Sequence, residues 1–183
     1  AHVRANGPTE EGLALAPQWL GFERRMVEHL LKREDDFVGE FKKLPGNLQL
    51  MTVHALQSVV FNKALHARID AGLPISRPVA GDLVGRIDEK GQLDASSCVN
   101  VEERTLPRIS RNCEMGRLVT TGPLPGSEIK TCEGESGQIE EAVIKSMTLD
   151  TADWNVEAIP RLSTRGTRRA LVTEFNELVI DTV

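Results

Sequence analysis

The residues with chemical potential in this chain are arginines before anything else. "RTLPRISRN" holds Arg104, Arg108 and Arg111 with no acid among them, and "RLSTRGTRR" holds Arg161, Arg165, Arg168 and Arg169, again without an acid. A guanidinium is a planar fork of donors that fits phosphate oxygens, so such windows read either as solvated loops or as phosphate-binding patches. The second window is the denser and is expected to contact phosphates, with Arg104, Arg108 and Arg111 as the alternative surface. Groups for acid–base or nucleophilic work are sparse. His2, His29, His54 and His66 are scattered, and each reads as a surface or partly satisfied histidine. Cys98, Cys113 and Cys132 form no CxxC pair, which argues against a zinc site or a disulfide framework and for a reducing cytosol. Neither a G-x-x-x-x-G-K-[ST] nor a G-x-G-x-x-G phosphate loop occurs.

The composition narrows the classes. With 183 residues, 40% hydrophobic and 27% charged, the chain has the make-up of a globular domain. Its net charge of −5 predicts no general attraction to nucleic acid, so any RNA contact has to be local. Tyrosine is absent and aromatics are few, which disfavours a base-stacking platform. No apolar run approaches the ~20 residues of a membrane span. The start, "AHVRANGPTEEG", reads as a processed or excised end, and the finish, "ELVIDTV", as a strand cut from a larger sheet.

The elements that must position these residues fall in two textures. Residues 1–16 are expected to be flexible. A helix is expected from Pro17 through "PQWLGFERRMVEHLLKR", then a shorter segment ending at Pro45-Gly46, then a long helix from about Leu48 to Ala71 stopped by Gly72. That long helix is apolar on most sides and so is expected to be buried, although Gln57, Ser58 and Asn62 lie in its middle and need partners. After Pro74 the chain turns to β-formers. "PVAGDLVGRIDEKGQL" reads as a hairpin with Asp88 to Gly91 as its turn, "TLPRISRNCEM" as a helix closed by Gly116, and "RLVTT" as a strand. "GPLPG", Gly122 to Gly126, reads as a rigid turn, residues 134–148 as an amphipathic helix, and "RRALVTEFNELVIDTV" as two strands around Glu174 to Asn176. The fold class expected is α+β: a helical first third, then a mixed or antiparallel sheet with two shorter helices.

Five stretches occur in order: "ERRMVEHLLK", "FKKLPGNLQLMTVHALQSVVFNKALHARI", "GDLVG", "GPLPG" and "GTRRAL". Together they resemble the TruD family of tRNA pseudouridine synthases in its archaeal and eukaryotic form. The likeness implies that residues 17–183 are the insertion domain that the family carries within its catalytic fold. It also implies a parent enzyme that isomerises uridine 13 of tRNA by means of an aspartate, with no metal and no cofactor. The family's aspartate sits in a Gly-x-Lys-Asp motif that these residues lack, so the resemblance carries over no catalytic residue and the chain alone is expected to be inactive. The partners implied are tRNA and the catalytic domain of the same polypeptide. "GRIDEKG", Gly85 to Gly91, resembles the Gly-Arg-Leu-Asp signature of other pseudouridine synthases but lacks its usual flanks. Gln57, Ser58, Phe61, Asn62, Gly81, Asp82, Gly122, Pro125 and Gly126 match the family's motifs and are expected mainly to fix the fold, with Gln57 and its neighbours bonding to "GDLVG" or "GPLPG". The alternatives are a stand-alone non-catalytic RNA-binding module and a protein-interaction module.

Overall fold

The computed structural model describes residues 6–173. The second strand expected around Glu174 to Asn176, and His2, lie outside them. The chain divides into two compact units, one made of residues up to Ala55 with Val156–Leu162, the other of Leu56–Asn155 with the chain from Ser163 onward.

The first unit is helical. Helix α1 spans Glu10–Leu15, in a stretch expected to be flexible. Thr9 explains it: its hydroxyl accepts from Gly12 N at 3.0 Å, and Glu10 and Glu11 occupy the first turn, where acids favour the helix dipole. Helix α2 spans Gly21–Lys32, so it begins four residues after Pro17. Pro17 to Leu20 form a separate turn, closed by Leu20 N donating to Pro17 O at 3.1 Å. The Arg24 guanidinium returns from α2 to the carbonyls of Leu13 and Ala16 (2.8 and 2.7 Å), satisfying the end of α1. Helix α3 spans Phe37–Phe41 and is capped by Asp36, whose carboxylate accepts from Gly39 N at 2.8 Å and lies 2.9 Å from His29 Nε2. The His29 hydrogen bond, with that of Gly39, holds the Asp36 carboxyl below its usual range.

Helix α4, Gly46–Asp70, starts in the first unit and continues into the second. Gly72 follows with φ +75°, the left-handed stop expected of it. The expectation that α4 is buried all round is corrected. Gln57, Val60, Phe61, Ala64 and Arg68 form one buried stripe at 3- and 4-residue spacing, while Met51, Val59 and Ile69 are 60%, 44% and 51% exposed.

The second unit is built on an antiparallel sheet of four strands in the order β2-β1-β3-β4. They are β1 Leu83–Ile87, β2 Leu93–Asn100, β3 Leu118–Leu124 and β4 Thr167–Ala170. Asp88 makes the β1–β2 turn, its carboxylate accepting from Lys90 N and Gln92 N at 2.9 and 2.8 Å. Helix α5, Leu106–Glu114, covers one end of the sheet through Ile109, which packs with Val84 and Val101. Gly116 closes it at φ +67°, with Arg117 N donating to Asn112 O at 3.0 Å and Gly116 N to Cys113 O at 2.9 Å. "GPLPG" is not the turn expected of it, because Gly122, Pro123 and Leu124 continue β3. Pro123 is tolerated there because β1 pairs β3 only over Leu118 to Thr120, leaving the proline with β4 as its one ladder neighbour. Helix α6 spans Gly134–Ser146 and is followed by a 3-10 turn over Thr151–Trp154. The α+β class stands.

Candidate nucleic-acid interface

The second unit carries its arginines in two environments, and strand alternation sorts them. Arg168 and Arg169 are neighbours in β4, where successive side chains face opposite sides. Arg168 points inward, with its side chain 3% exposed. It donates to both oxygens of Glu140 at 2.7 and 2.9 Å, to Thr121 O at 2.7 Å and to Thr121 Oγ1 at 3.1 Å. Lys130 O and Cys132 Sγ lie at 3.2 Å. Burial works against its charge, but the hydrogen bonds and negative charge of Glu140 outweigh that and raise its pKa. Arg168 therefore leaves the set of expected phosphate contacts: every part of its fork is engaged within the protein.

The rest of that cluster separates as well. Arg161 is fixed within the first unit by Gln49 Oε1, at 2.6 and 3.1 Å from its Nη2 and Nε. Arg165 is exposed and stands 3.8 Å from Glu128, so the cluster is not free of carboxylates in space as it is in sequence. Arg169 is exposed and lies over the ring of Phe61, 5.1 Å from its centroid. In the alternative surface, Arg104 pairs with Glu102, while Arg108 and Arg111 project from α5 into solvent.

The family-motif residues hold this frame together. Gln57 Nε2 donates to Pro125 O at 2.8 Å, linking α4 to the end of "GPLPG". Asn62 is exposed and Ser58 half-buried, so only Gln57 carries the buried amide expected of the three. Asp82, fully buried, takes both ends of the Arg68 guanidinium at 2.7 Å and accepts from Val79 N at 2.8 Å. Arg68 also donates to Ser136 Oγ at 3.1 Å and Pro74 O at 2.8 Å. Gly81, at φ +92°, exchanges backbone bonds with Val101 O and Glu133 N, both 2.7 Å. A Cβ on Gly122 would stand 2.8 Å from the Phe61 ring. Gly126 and Gly166 cross backbone to backbone, and Gly166, at φ +80°, would put a Cβ 2.7 Å from Gly126 N.

Ser136 and Glu140 were invisible to the sequence pattern. Amphipathic patterning predicts a buried apolar face for helix α6, yet its deeply buried positions are these two polar residues. Cys132 is buried beside them, and its thiol is pushed up to about 12, first by burial and then, against the pull of Arg168, by Glu140. Cys98 and Cys113 are raised too, mainly by burial. These thiols are packing groups rather than nucleophiles.

The family model described as tRNA pseudouridine synthase D (TruD) matches residues 1–182. Relatives named "Probable tRNA pseudouridine synthase D" include one from Methanosarcina mazei, 39% identical over 165 residues, which covers 90% of this chain and 38% of the relative. One from Methanosarcina acetivorans is 38% identical over 172 residues, covering 94% and 39%. One from Halobacterium salinarum is 35% identical over 165 residues, covering 87% and 37%. A crystal structure of a TruD protein from Methanosarcina mazei superposes with a TM-score of 0.84 at 38% identity, over 92% of this chain and 39% of that one. The chain thus spans about two-fifths of the length of the proteins it matches. It belongs to the TruD family of tRNA pseudouridine synthases.

Proposed function

We propose that this chain is the tRNA-holding insertion domain of a cytoplasmic pseudouridine synthase that isomerises uridine 13 of tRNA. The catalytic aspartate is supplied by polypeptide outside these residues. The observation that carries the reading is the family match through residues 1–182 of a sequence with no Gly-x-Lys-Asp. The placement of its aspartates supports it. Asp82 is buried and locked to Arg68, and Asp88 is occupied by its own turn, so neither is presented to a flipped base. What the chain offers a tRNA is arginine at its surface: Arg165, Arg169, Arg108 and Arg111 keep their guanidinium groups in solvent, suited to phosphates rather than to base edges.

The test is tritium release from unmodified tRNA labelled at C5 of uridine, run on the full-length polypeptide and on residues 1–183 alone. Release by the former at position 13, and salt-dependent tRNA binding without release by the latter, is the expected result. Release by residues 1–183 that disappears with Asp88→Ala would refute the division of labour. Absence of tRNA binding by either would leave a protein-interaction module instead.

A further inference from the structure

In the second unit, Arg86 on β1, Arg108 on α5 and Arg117 at the entrance to β3 line one open groove of about 670 Å³. In sequence they are far apart and belong to no basic cluster as a set. Resting on the function proposed above, we infer that this groove, which joins Arg108 to Arg86 and Arg117, is a phosphate-binding track that grips the backbone of the substrate tRNA.

Charge is the first argument. All three arginines are exposed, and among the described residues no carboxylate lies within ion-pair distance of them. Three other exposed arginines of this acidic chain do have such neighbours: Arg33 has Asp36 at 3.9 Å, Arg104 has Glu102, and Arg165 has Glu128 at 3.8 Å. Asp94 faces Arg86 across the hairpin and feels its charge, but its carboxylate makes its hydrogen bonds to Ser96, with the hydroxyl at 2.5 Å and the backbone N at 3.0 Å.

The second argument is which donors are still unused. The Ser97 hydroxyl donates to Asp94 O at 2.6 Å and accepts from Arg86 N at 2.8 Å, and Asn112 Nδ2 donates to Arg108 O at 2.8 Å. The Ser97 hydroxyl and one Asn112 amide hydrogen are thus taken up within the protein. The guanidinium forks remain, and they select an anion rather than a neutral ligand.

The third argument is rigidity. Arg117 is held by the closure of α5 through its N–H to Asn112 O at 3.0 Å, and by its carbonyl, which accepts from Ile87 N at 3.2 Å. Arg86 is held by pairing on both sides, to Asp94 and to Leu118. Arg108 stands one residue from Ile109, which is anchored in the core. Three arginines whose backbones are fixed on three elements along one groove suit successive phosphates of a single backbone.

The experiment uses the full-length polypeptide with Arg86, Arg108 and Arg117 all changed to Gln, and a matched set changed to Lys. Binding of unmodified tRNA is measured across a salt series, with turnover at saturating tRNA and the urea midpoint alongside. The Gln set is expected to bind more weakly and to flatten the slope of log affinity against log salt by about 2–3, roughly one per lost phosphate contact. The Lys set should keep most of the slope, and the urea midpoint should stay near wild type in both, since all three side chains are exposed. Should the triple Gln variant fail to fold, the single variants decide, each flattening the slope by about one. A Gln set with wild-type affinity and slope, in an enzyme that still binds and isomerises tRNA, overturns the groove and leaves the function intact. A wild-type polypeptide that neither binds nor isomerises tRNA overturns both.

Discussion

Glu140 on α6 and Arg168 on β4, 28 positions apart, form a bidentate pair at 2.7 and 2.9 Å with both side chains almost wholly out of solvent. Breaking such a pair leaves one charge stranded, at a cost of about 3–5 kcal/mol. Arg168→Gln should therefore lower the urea midpoint sharply, whereas Arg169→Gln gives up only a surface contact with Phe61, worth about 0.5–1 kcal/mol. If tRNA binding in the full-length enzyme is followed as well, Arg169→Gln should weaken it with the fold intact. Equal stability losses in the two variants would contradict the inward and outward assignment.

Gln57 and Asn62 share a motif but not an environment. Gln57→Leu strands the carbonyl of Pro125 and should destabilise by about 1–3 kcal/mol. Asn62→Leu, on the exposed side of α4, should stay within about 0.5 kcal/mol. Equilibrium unfolding of the two variants in urea makes the comparison, and a reversed order would mean that α4 is rotated from the orientation described.

Gly166→Ala combines a left-handed backbone with a Cβ placed 2.7 Å from Gly126 N. The backbone alone costs roughly 1–2 kcal/mol, and the contact adds to it. A loss of more than about 2 kcal/mol in chemical denaturation is expected. A neutral Gly166→Ala would show that the two backbones do not approach in solution.

Asp36 gives a pH signature. Its carboxyl is held below the usual value by the hydrogen bonds of His29 and Gly39. A folded-state pKa below the unfolded one means that the ionised form stabilises the fold. That contribution is complete above the unfolded value near 4 and is lost as pH falls through the lower folded value. The gap in urea midpoint between wild type and Asp36→Asn should be open at pH 6 and narrow steadily below about pH 4. A gap that widened on acidification would reverse the sign of the shift.

How much of this was legible in the sequence depended on how local the cause was. Gly72 and Gly116 announced helix ends because a left-handed stop is a property of one residue. Asp88 announced its turn because its partners are two and four residues away. Glu140, Ser136 and the inward turn of Arg168 were hidden, because their partners lie tens of residues off and composition cannot distinguish a paired arginine from a solvated one. The groove of Arg86, Arg108 and Arg117 was hidden for the same reason, since only the sheet brings β1, α5 and β3 together. Helix α4 misled in the other direction: an apolar circumference says nothing of which side the fold covers, and the buried stripe takes in Gln57 and Arg68 beside Val60, Phe61 and Ala64 while Met51 and Ile69 stay exposed.

The doublet Arg168–Arg169 makes the register of β4 ambiguous on charge alone. Were the strand to slide by one residue, the other arginine would arrive opposite Glu140, and the ion pair could form again. Its specificity is therefore degenerate to a single-step error. The Gly126–Gly166 crossing is not. A slide would bring Arg165 or Thr167 to a place where a side chain meets backbone and where φ must be positive. The strand is thus aligned by an exclusion with no charge in it, and the strong electrostatic contact merely fastens an alignment that two hydrogen atoms have already chosen.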